Sequence, residues 1–429
     1  MNMMKAKSLC IIFLMWVIHQ NTAQPYALHF SGVYNSNGEY SKDVLIVVED
    51  SRIKDIIKFE ESVIKNYKYQ DLRPLNAIPG LIDVHTHITY YWDKSPGTNP
   101  WEDADKLTAP VIVFLAQENA IKTLECGVTT IRDLGSWRGM DLDMQALINR
   151  GAMKGPRMYV SGNGLHISYA PHDPLNPKHD PGKADDLDAI AKVVRQELAS
   201  GVDWIKMYGS TGSDQDVSSF QTYTFEEMKL ACDITRLAGK KIAIHAYGAE
   251  AARDAIRAGA HSIEHATDLL KSDFELMLQH GTYYVPTVDH NRYYIDHSDE
   301  YGYGHQVKEN LQNYIQRNFE TLKLAIKMNV PIAMGSDAVF TGFGQNTREL
   351  GWFVKAGMSP LQALQSATLQ AAKLLGKESE LGSLSKGFRA DIVAIEGDPF
   401  QDINAVIYGV KWVMKDGEVM IDKRTVHKK

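Results

Sequence analysis

Cysteine is scarce, with three among 429 residues. Cys10 sits in an N-terminal apolar segment, leaving Cys126 and Cys232. One bridge is arithmetically open, but both lie in or at the end of helical-looking segments, so two buried thiols are expected. Long basic runs are missing too, and Lys and Arg number 46 against 53 Asp and Glu. That balance lacks the electrostatic footprint of a nucleic-acid binder, and a small-molecule partner fits better. No internal repeat or low-complexity tract is visible, and after the first two dozen residues no apolar run is long enough to span a bilayer.

The N-terminus carries Lys5 and Lys7, an apolar stretch from Leu9 to Ile18, and a polar break ending at Thr22-Ala23. This order reads as a secretory signal peptide over residues 1–23, the apolar part being short for a permanent span. An uncleaved membrane anchor is the alternative, disfavoured by the small residue Ala23 at the cleavage position. The expectation is export, to periplasm or medium, with no stable membrane span once the leader is removed. Cleavage would take two lysines away and make the formal charge of −7 two units more negative.

What is abundant is alternation. From residue 80 to 376, short apolar segments alternate with amphipathic helical ones: Leu81–Val84, Val128–Ile131, Arg157–Ser161, Trp204–Met207, Ile242–Ile244, Ser262–Ile263, Tyr283–Val285 and Ile332–Met334. Eight such units predict an α/β fold, a (β/α)8 TIM barrel. Intervening helices are expected over Asp188–Ser200, Thr224–Ala238 and Ala249–Ala258, each followed by glycine. Thr224-Phe225-Glu226-Glu227 has the form of a capping box. Residues 24–79 and 377–429 read instead as strands and turns, including Val44–Val48, Arg52–Ile57, Asp391–Ile395, Ala405–Tyr408 and Lys411–Met414. These two flanks are expected to form one small composite β-sandwich domain.

Chemistry concentrates at the ends of the barrel segments. His85-Thr86-His87 closes the first, and residues two apart on a strand share a face, so both imidazoles can reach one cation. Lys206, in Trp-Ile-Lys-Met-Tyr, is a lysine in a β-branched and aromatic setting that calls for pairing or modification. His245 and His265 end the fifth and sixth segments, and Asp337 follows the eighth. Each alone has an ordinary reading as a core histidine, a snorkelling lysine or a helix cap. Six candidate ligands on five strand ends, on the face where barrel active sites lie, point to a metal centre.

This pattern resembles the amidohydrolase superfamily over nearly the whole chain after the leader, most closely its imidazolonepropionase-like and prolidase-like branch of metal-dependent dipeptidases and amidases. The resemblance is carried by Pro79–His87 (PGLIDVHTH), Gly127–Asp133 (GVTTIRD), His245–Gly248 (HAYG), Ser262–His265 (SIEH), Gly281–Thr287 (GTYYVPT), Gly335–Asp337 (GSD) and Gly382–Val393 (GSLSKGFRADIV). It implies two divalent metal ions: His85, His87 and Asp337 around the more buried, His245 and His265 around the more exposed, and Lys206 bridging both as an N6-carboxylated (carbamate) side chain. Zinc suits that donor set, which also admits manganese, cobalt or iron. The implied mechanism is attack by a metal-bridging hydroxide, with Asp337 as proton shuttle.

The implied substrate is a small amide, a dipeptide or N-acyl amino acid. The alternatives are a cyclic amide, imidazolone or lactone on the same centre, and a metal-free binding protein that has lost the chemistry. Aromatic deamination is disfavoured because relatives with that activity lack a bridging lysine. Substrate-contact candidates are Tyr223, His166 and His172, with Arg292 or Arg132 for a substrate carboxylate. The chain departs from its look-alikes at Tyr247, where many carry a second histidine, and in the loop Tyr169–Pro174. Homo-oligomers are common among them.

Overall fold

The computed structural model describes residues 25–424, apart from 96–97, 99, 101–105, 169–180, 213–215 and 219. The leader and His172 therefore lie outside the described residues.

The apolar segments form two parallel sheets that curve around one interior. Leu81–Thr86, Val128–Asp133 and Arg157–Tyr159 are the first three barrel strands. Trp204–Tyr208, Lys241–Ala246, Ser262–His265 and Tyr283–Val285 are the fourth to seventh. The first seam is bridged by the amides of Asp203 and Trp204, which both donate to the Val160 carbonyl, at 2.9 and 3.1 Å. The eighth segment closes the second seam without being a regular strand. Ile332 makes an isolated bridge with Tyr284, and the Val84 amide donates to the Met334 carbonyl at 2.9 Å. Pro331 sits at its start and has no N–H to give to a ladder.

Strands of a parallel barrel are covered on both faces, which is why they read as near-continuous apolar runs. Ile82, Val84, Ile242, Ile244 and Ile263 are all fully or almost fully buried. The outer helices use local chemistry to start and stop. Leu187–Ser200 is capped by the Asp186 carboxylate on the Ala189 amide and ends at Gly201, whose φ of 95° belongs to the left-handed region. Phe225–Leu237 starts with the Thr224/Glu227 capping box.

The flanking segments meet in one eight-stranded mixed sheet. Tyr26–Tyr34 runs antiparallel to Tyr40–Glu49, and on its other side pairs with Lys68–Asp71 at one end and with Asn76–Ala77 at the other. Asn76–Pro79 then pairs antiparallel with Ile392–Ile395, which continues through Val410–Lys415 to Glu418–Asp422. The inward faces of both halves enclose their own core, including Phe30, Ile46, Ile392 and Trp412. Arg157 fixes this domain to the barrel through Asp391 and Asp416, each at 2.6 Å.

One expectation is corrected: Ala405–Tyr408 is not a strand but lies within the short helix Asn404–Tyr408. Four apolar residues do not distinguish a buried strand from a buried helical turn. Here the Asp402 carboxylate accepts the Asn404 amide and turns the chain into a helix. Cys126 and Cys232 are buried free thiols. Among the described residues, no helix is long and apolar enough to cross a membrane.

Candidate metal centre

The centre is assembled by the first and eighth segments approaching at their C-terminal ends. The Asp337 amide donates to the His85 carbonyl at 2.7 Å, and the His87 amide to the Ala338 carbonyl at 3.1 Å. Gly335 permits this approach, because a Cβ there would come within 2.7 Å of the His85 Cβ. His85, His87 and Asp337 are buried, and their donor atoms all lie within 4.8 Å of one another.

The proton inventory of this cluster decides what it can hold. His85 Nδ1 lies 2.8 Å from the Glu264 carboxylate and His87 Nδ1 lies 2.8 Å from the Gly135 carbonyl. Both partners are acceptors only, so both rings donate through Nδ1 and present a bare Nε2 lone pair. Those lone pairs face Asp337 Oδ1 at 3.4 and 3.2 Å. Asp337 Oδ1 is itself buried without a hydrogen-bond partner. Lys206 Nζ meets the His85 lone pair at 3.4 Å, but Asp337 Oδ1 is left without a donor, and acceptors converging in a buried site in this way repel unless a cation sits among them. The donor set therefore fits a divalent metal ion.

The ionisation states agree. Burial pulls His85 down to about 4, and the Lys206 charge adds to this against the pull of Asp337. His245 and His265 are also held well below the ordinary imidazole value, foremost by burial. Burial would raise the Asp337 carboxyl, but His290, His85, His87 and His265 hold it well below the usual range. Neutral imidazoles beside an ionised carboxylate are the forms in which these groups bind metals.

Lys206 and the remaining histidines complete the mouth. Lys206 Nζ is 3.4 Å from His85 Nε2 and fully buried, and burial brings its ammonium down to about 8. The His245 and His265 rings lie 4.3 Å apart. His265 Nδ1 reaches Thr287 Oγ1 at 2.7 Å and stands 3.8 Å from Asp337 Oδ2. Tyr247 stacks on His265 at 4.5 Å. Three residues here hold left-handed φ angles, His265 at 75°, Thr287 at 49° and Asp337 at 50°. Such conformations cost about 1–3 kcal/mol each and persist where surrounding structure enforces them, as at binding sites.

Other candidates stand elsewhere. Tyr223 is 1% exposed within the barrel core, its hydroxyl is unpartnered, and the charges nearest it are Asp185 and Glu227 rather than Asp337. A phenol enclosed in this way is not open to substrate. His166 is half-buried on the loop that fills the seam between the third and fourth strands, with Nδ1 3.3 Å from the Gly164 carbonyl. Arg292 is committed to Asp289 at 3.0 and 2.9 Å, to Asp296, and to Gln345 at 3.0 Å. With Nε, Nη1 and Nη2 all engaged, it is scaffold rather than a carboxylate receptor. Arg132 is fully buried and bound to Glu264 at 3.0 Å.

Four residues support the centre in roles that the sequence reading did not assign them. Glu264 orients His85, and Arg132 with Ser262 orients Glu264. His290 sends Nδ1 to the Asp337 carbonyl at 2.8 Å and lies 3.2 Å from its Oδ2. Its position, five residues beyond the seventh strand in an active-site loop, was the available signal.

A barrel with buried histidines and an aspartate converging at its C-terminal mouth is a metal-dependent hydrolase scaffold. Residues 76–420 match the amidohydrolase family, and the chain belongs to it. Ochratoxinase of Aspergillus niger is 27% identical over 402 residues, spanning 86% of this chain and 80% of that protein. Imidazolonepropionase of Thermoanaerobacter pseudethanolicus is 23% identical over 394 residues, 84% of this chain and 85% of that one. Among solved structures, a Xaa-Pro dipeptidase with methionine bound in its active site is 30% identical, with a TM-score of 0.82 and coverage of 92% of this chain and 99% of that one. The protein is a metal-dependent amidohydrolase, an enzyme acting on carbon–nitrogen bonds.

Proposed function

We propose that the protein hydrolyses the amide bond of a dipeptide or N-acyl amino acid, using two divalent cations, zinc foremost, with Lys206 carried as its N6-carboxylate between them. The observation that carries this is the convergence of the buried His85, His87 and Asp337 acceptors, with Asp337 Oδ1 lacking any hydrogen-bond donor. Similarity to a Xaa-Pro dipeptidase and to ochratoxinase supports the linear amide. Cations bound there would supply Lewis acidity that polarises the scissile carbonyl and acidifies a water.

The chain's own residues do the rest. Burial at the fourth strand keeps part of Lys206 neutral near pH 8, the form that adds carbon dioxide and becomes an anion. Asp337, ionised and steered by His290, has a carboxylate oxygen free of hydrogen bonds and is the acceptor for the water's proton, which it returns to the leaving nitrogen. Glu264 and the Gly135 carbonyl keep His85 and His87 in one tautomer.

A second reading is favoured by one observation. Arg132 and Arg292, the cations considered for a substrate carboxylate, are occupied by Glu264 and Asp289. A cyclic amide, imidazolone or lactone needs no such partner. The test is hydrolysis of a dipeptide and N-acyl amino acid panel by zinc-loaded protein, beside Lys206→Ala and Asp337→Asn. Cleavage abolished in both variants is expected. If linear amides survive while cyclic ones open, the second reading replaces the first. We also propose export through removal of residues 1–23, checked by mass spectrometry of the N-terminus of protein recovered outside the cytoplasm. A mature chain starting at Gln24 is expected, and an intact leader refutes cleavage.

A further inference from the structure

A cavity of about 210 Å³ opens between the helices Glu349–Lys355 and Asn404–Tyr408, and none of the candidate metal ligands lines it. One wall follows the eighth barrel segment and the other leads into the sheet strand Val410–Lys415, so the cavity lies at the junction of the two domains, a common place for ligands. Its size falls below the roughly 300–1,000 Å³ of sites for drug-sized molecules, which calls for a small occupant. Gly351 keeps the space open. A Cβ at that position would meet only Ile407 Cδ1, at 3.6 Å, an ordinary contact, and its backbone is not in the left-handed region. Glycine inside a helix is destabilising relative to alanine, and neither space nor backbone geometry requires it here. What its missing side chain provides is room.

Charge in the cavity leans positive. Asp289 is the one acid among the described residues lining it, and its carboxylate accepts from Arg292 at 3.0 and 2.9 Å and from Trp352 Nε1 at 2.9 Å. Arg348 Nε stands 3.5 Å from the same carboxylate, while Arg348 Nη2 has no partner among the described residues. Lys355 has no carboxylate partner there either. Its ammonium lies 4.8 Å from the Trp352 ring and 5.2 Å from the Phe319 ring, which holds the cation at the rim without neutralising it. Arg292 is shared with Asp296, so the two carboxylates face three cations, Arg292, Arg348 and Lys355. Glu349, beside Arg348, is buried and turned inward to the Val288 and Asp289 amides, both at 2.9 Å. Apolar surface adjoins the free donors: Trp352 is half-buried, Ile407 is buried, and Tyr408 at the rim is 68% exposed.

We infer that this cavity is a second ligand site, separate from the metal centre, for a small aromatic carboxylate. The carboxylate meets Arg348 Nη2 and the Lys355 ammonium, and charge-assisted bonds of that kind are the strong ones. The ring lies against Trp352 and Ile407, beneath Tyr408, where an aromatic body buries apolar area with defined geometry. No residue of the metal centre takes part, so the site stands or falls apart from the amide-hydrolase reading.

The test is calorimetric titration of the zinc-loaded full chain with phenylacetate, beside acetate as the ringless counterpart and benzyl alcohol as the uncharged one. Phenylacetate should bind at least about tenfold more tightly than either. Lys355→Ala should weaken it about tenfold, and Gly351→Leu, which fills the cavity, should abolish it. Leucine is favoured over glycine in a helix, so Gly351→Leu should unfold in urea no earlier than the wild type, which separates a blocked site from a lost fold. Lys355 is exposed, and its variant carries the test if the leucine disturbs packing. A carboxylate held by zinc instead would be released on chelation and would ignore both substitutions. Binding that survives Gly351→Leu and Lys355→Ala, binding no tighter than that of benzyl alcohol, or none at about 10 mM phenylacetate overturns the site.

Discussion

Replacing Glu264 by glutamine changes one atom and one charge at the point where the barrel's interior support meets its metal ligands. Glu264 is fully buried and accepts from Arg132 Nη2 at 3.0 Å, Ser262 Oγ at 2.5 Å and His85 Nδ1 at 2.8 Å. Burial would raise its carboxyl, but the Arg132 charge and the His85 bond hold it at about 2, so it is ionised at any working pH. The amide keeps the shape but strands the Arg132 guanidinium, itself fully buried, without a counter-charge. Removing one partner of a buried pair costs about 3–5 kcal/mol, a large share of the roughly 5–15 kcal/mol that holds a domain folded. His85 loses a charged acceptor as well, and loss of such a support lowers metal affinity by about 10–100-fold.

The two effects separate experimentally. Urea unfolding of the chelated protein reads the first, and competition against a zinc indicator reads the second. The double variant Arg132→Met/Glu264→Gln removes both charges and should be less destabilised than Glu264→Gln alone, as expected when an uncompensated charge is the cost. A single-variant loss below about 1 kcal/mol, or a double variant whose cost is the sum of its parts, would refute the reasoning.

Two further outcomes follow from other groups. Burial foremost pushes the Asp141 carboxyl up to about 7 from 3.8, with Glu197 adding to it and the Gly162 and Ser161 amides opposing. A carboxyl raised on folding favours the native state below about pH 4 and loses that contribution as pH climbs through 7. The urea midpoint of the wild type should therefore fall relative to Asp141→Asn across that window, and parallel curves would contradict the assignment. Stripping divalent cations should lower the melting temperature, with zinc at about 100 times its dissociation constant restoring roughly 2.7 kcal/mol. His87→Ala should abolish that response, and a wild type whose melting ignores zinc would remove the metal centre.

The barrel was legible because parallel strands buried on both faces leave apolar runs, and the strand-end residues stood out as polar groups closing those runs. Glu264 was not. Strand alternation sends neighbours 264 and 265 to opposite faces, so an inward His265 implies an outward Glu264. The φ of 75° at His265 breaks that alternation and lets both side chains face the centre. Sequence carries little trace of such a break at a non-glycine residue. Arg292 and Tyr223 were unreadable for a different reason: whether a guanidinium is free or a phenol enclosed depends on Asp289 and Asp296 in one case and on the packed core in the other. His290 looked like any loop histidine until the fold set it against Asp337.

The shared sheet also imposes an order on synthesis. Asn76–Pro79 runs almost directly into the first barrel strand, yet its antiparallel partner, Ile392–Ile395, is made more than three hundred residues later. A ribosome-bound chain thus displays an unpaired, apolar strand edge, Ala77 and Ile78 included, throughout translation of the barrel. Long-range pairing of this kind is slow and exposes the intermediate to association with other chains. Pairing of the sheet strand that leads into the barrel waits on residues made after the whole barrel, which makes the C-terminal strands the folding clasp of the enzyme.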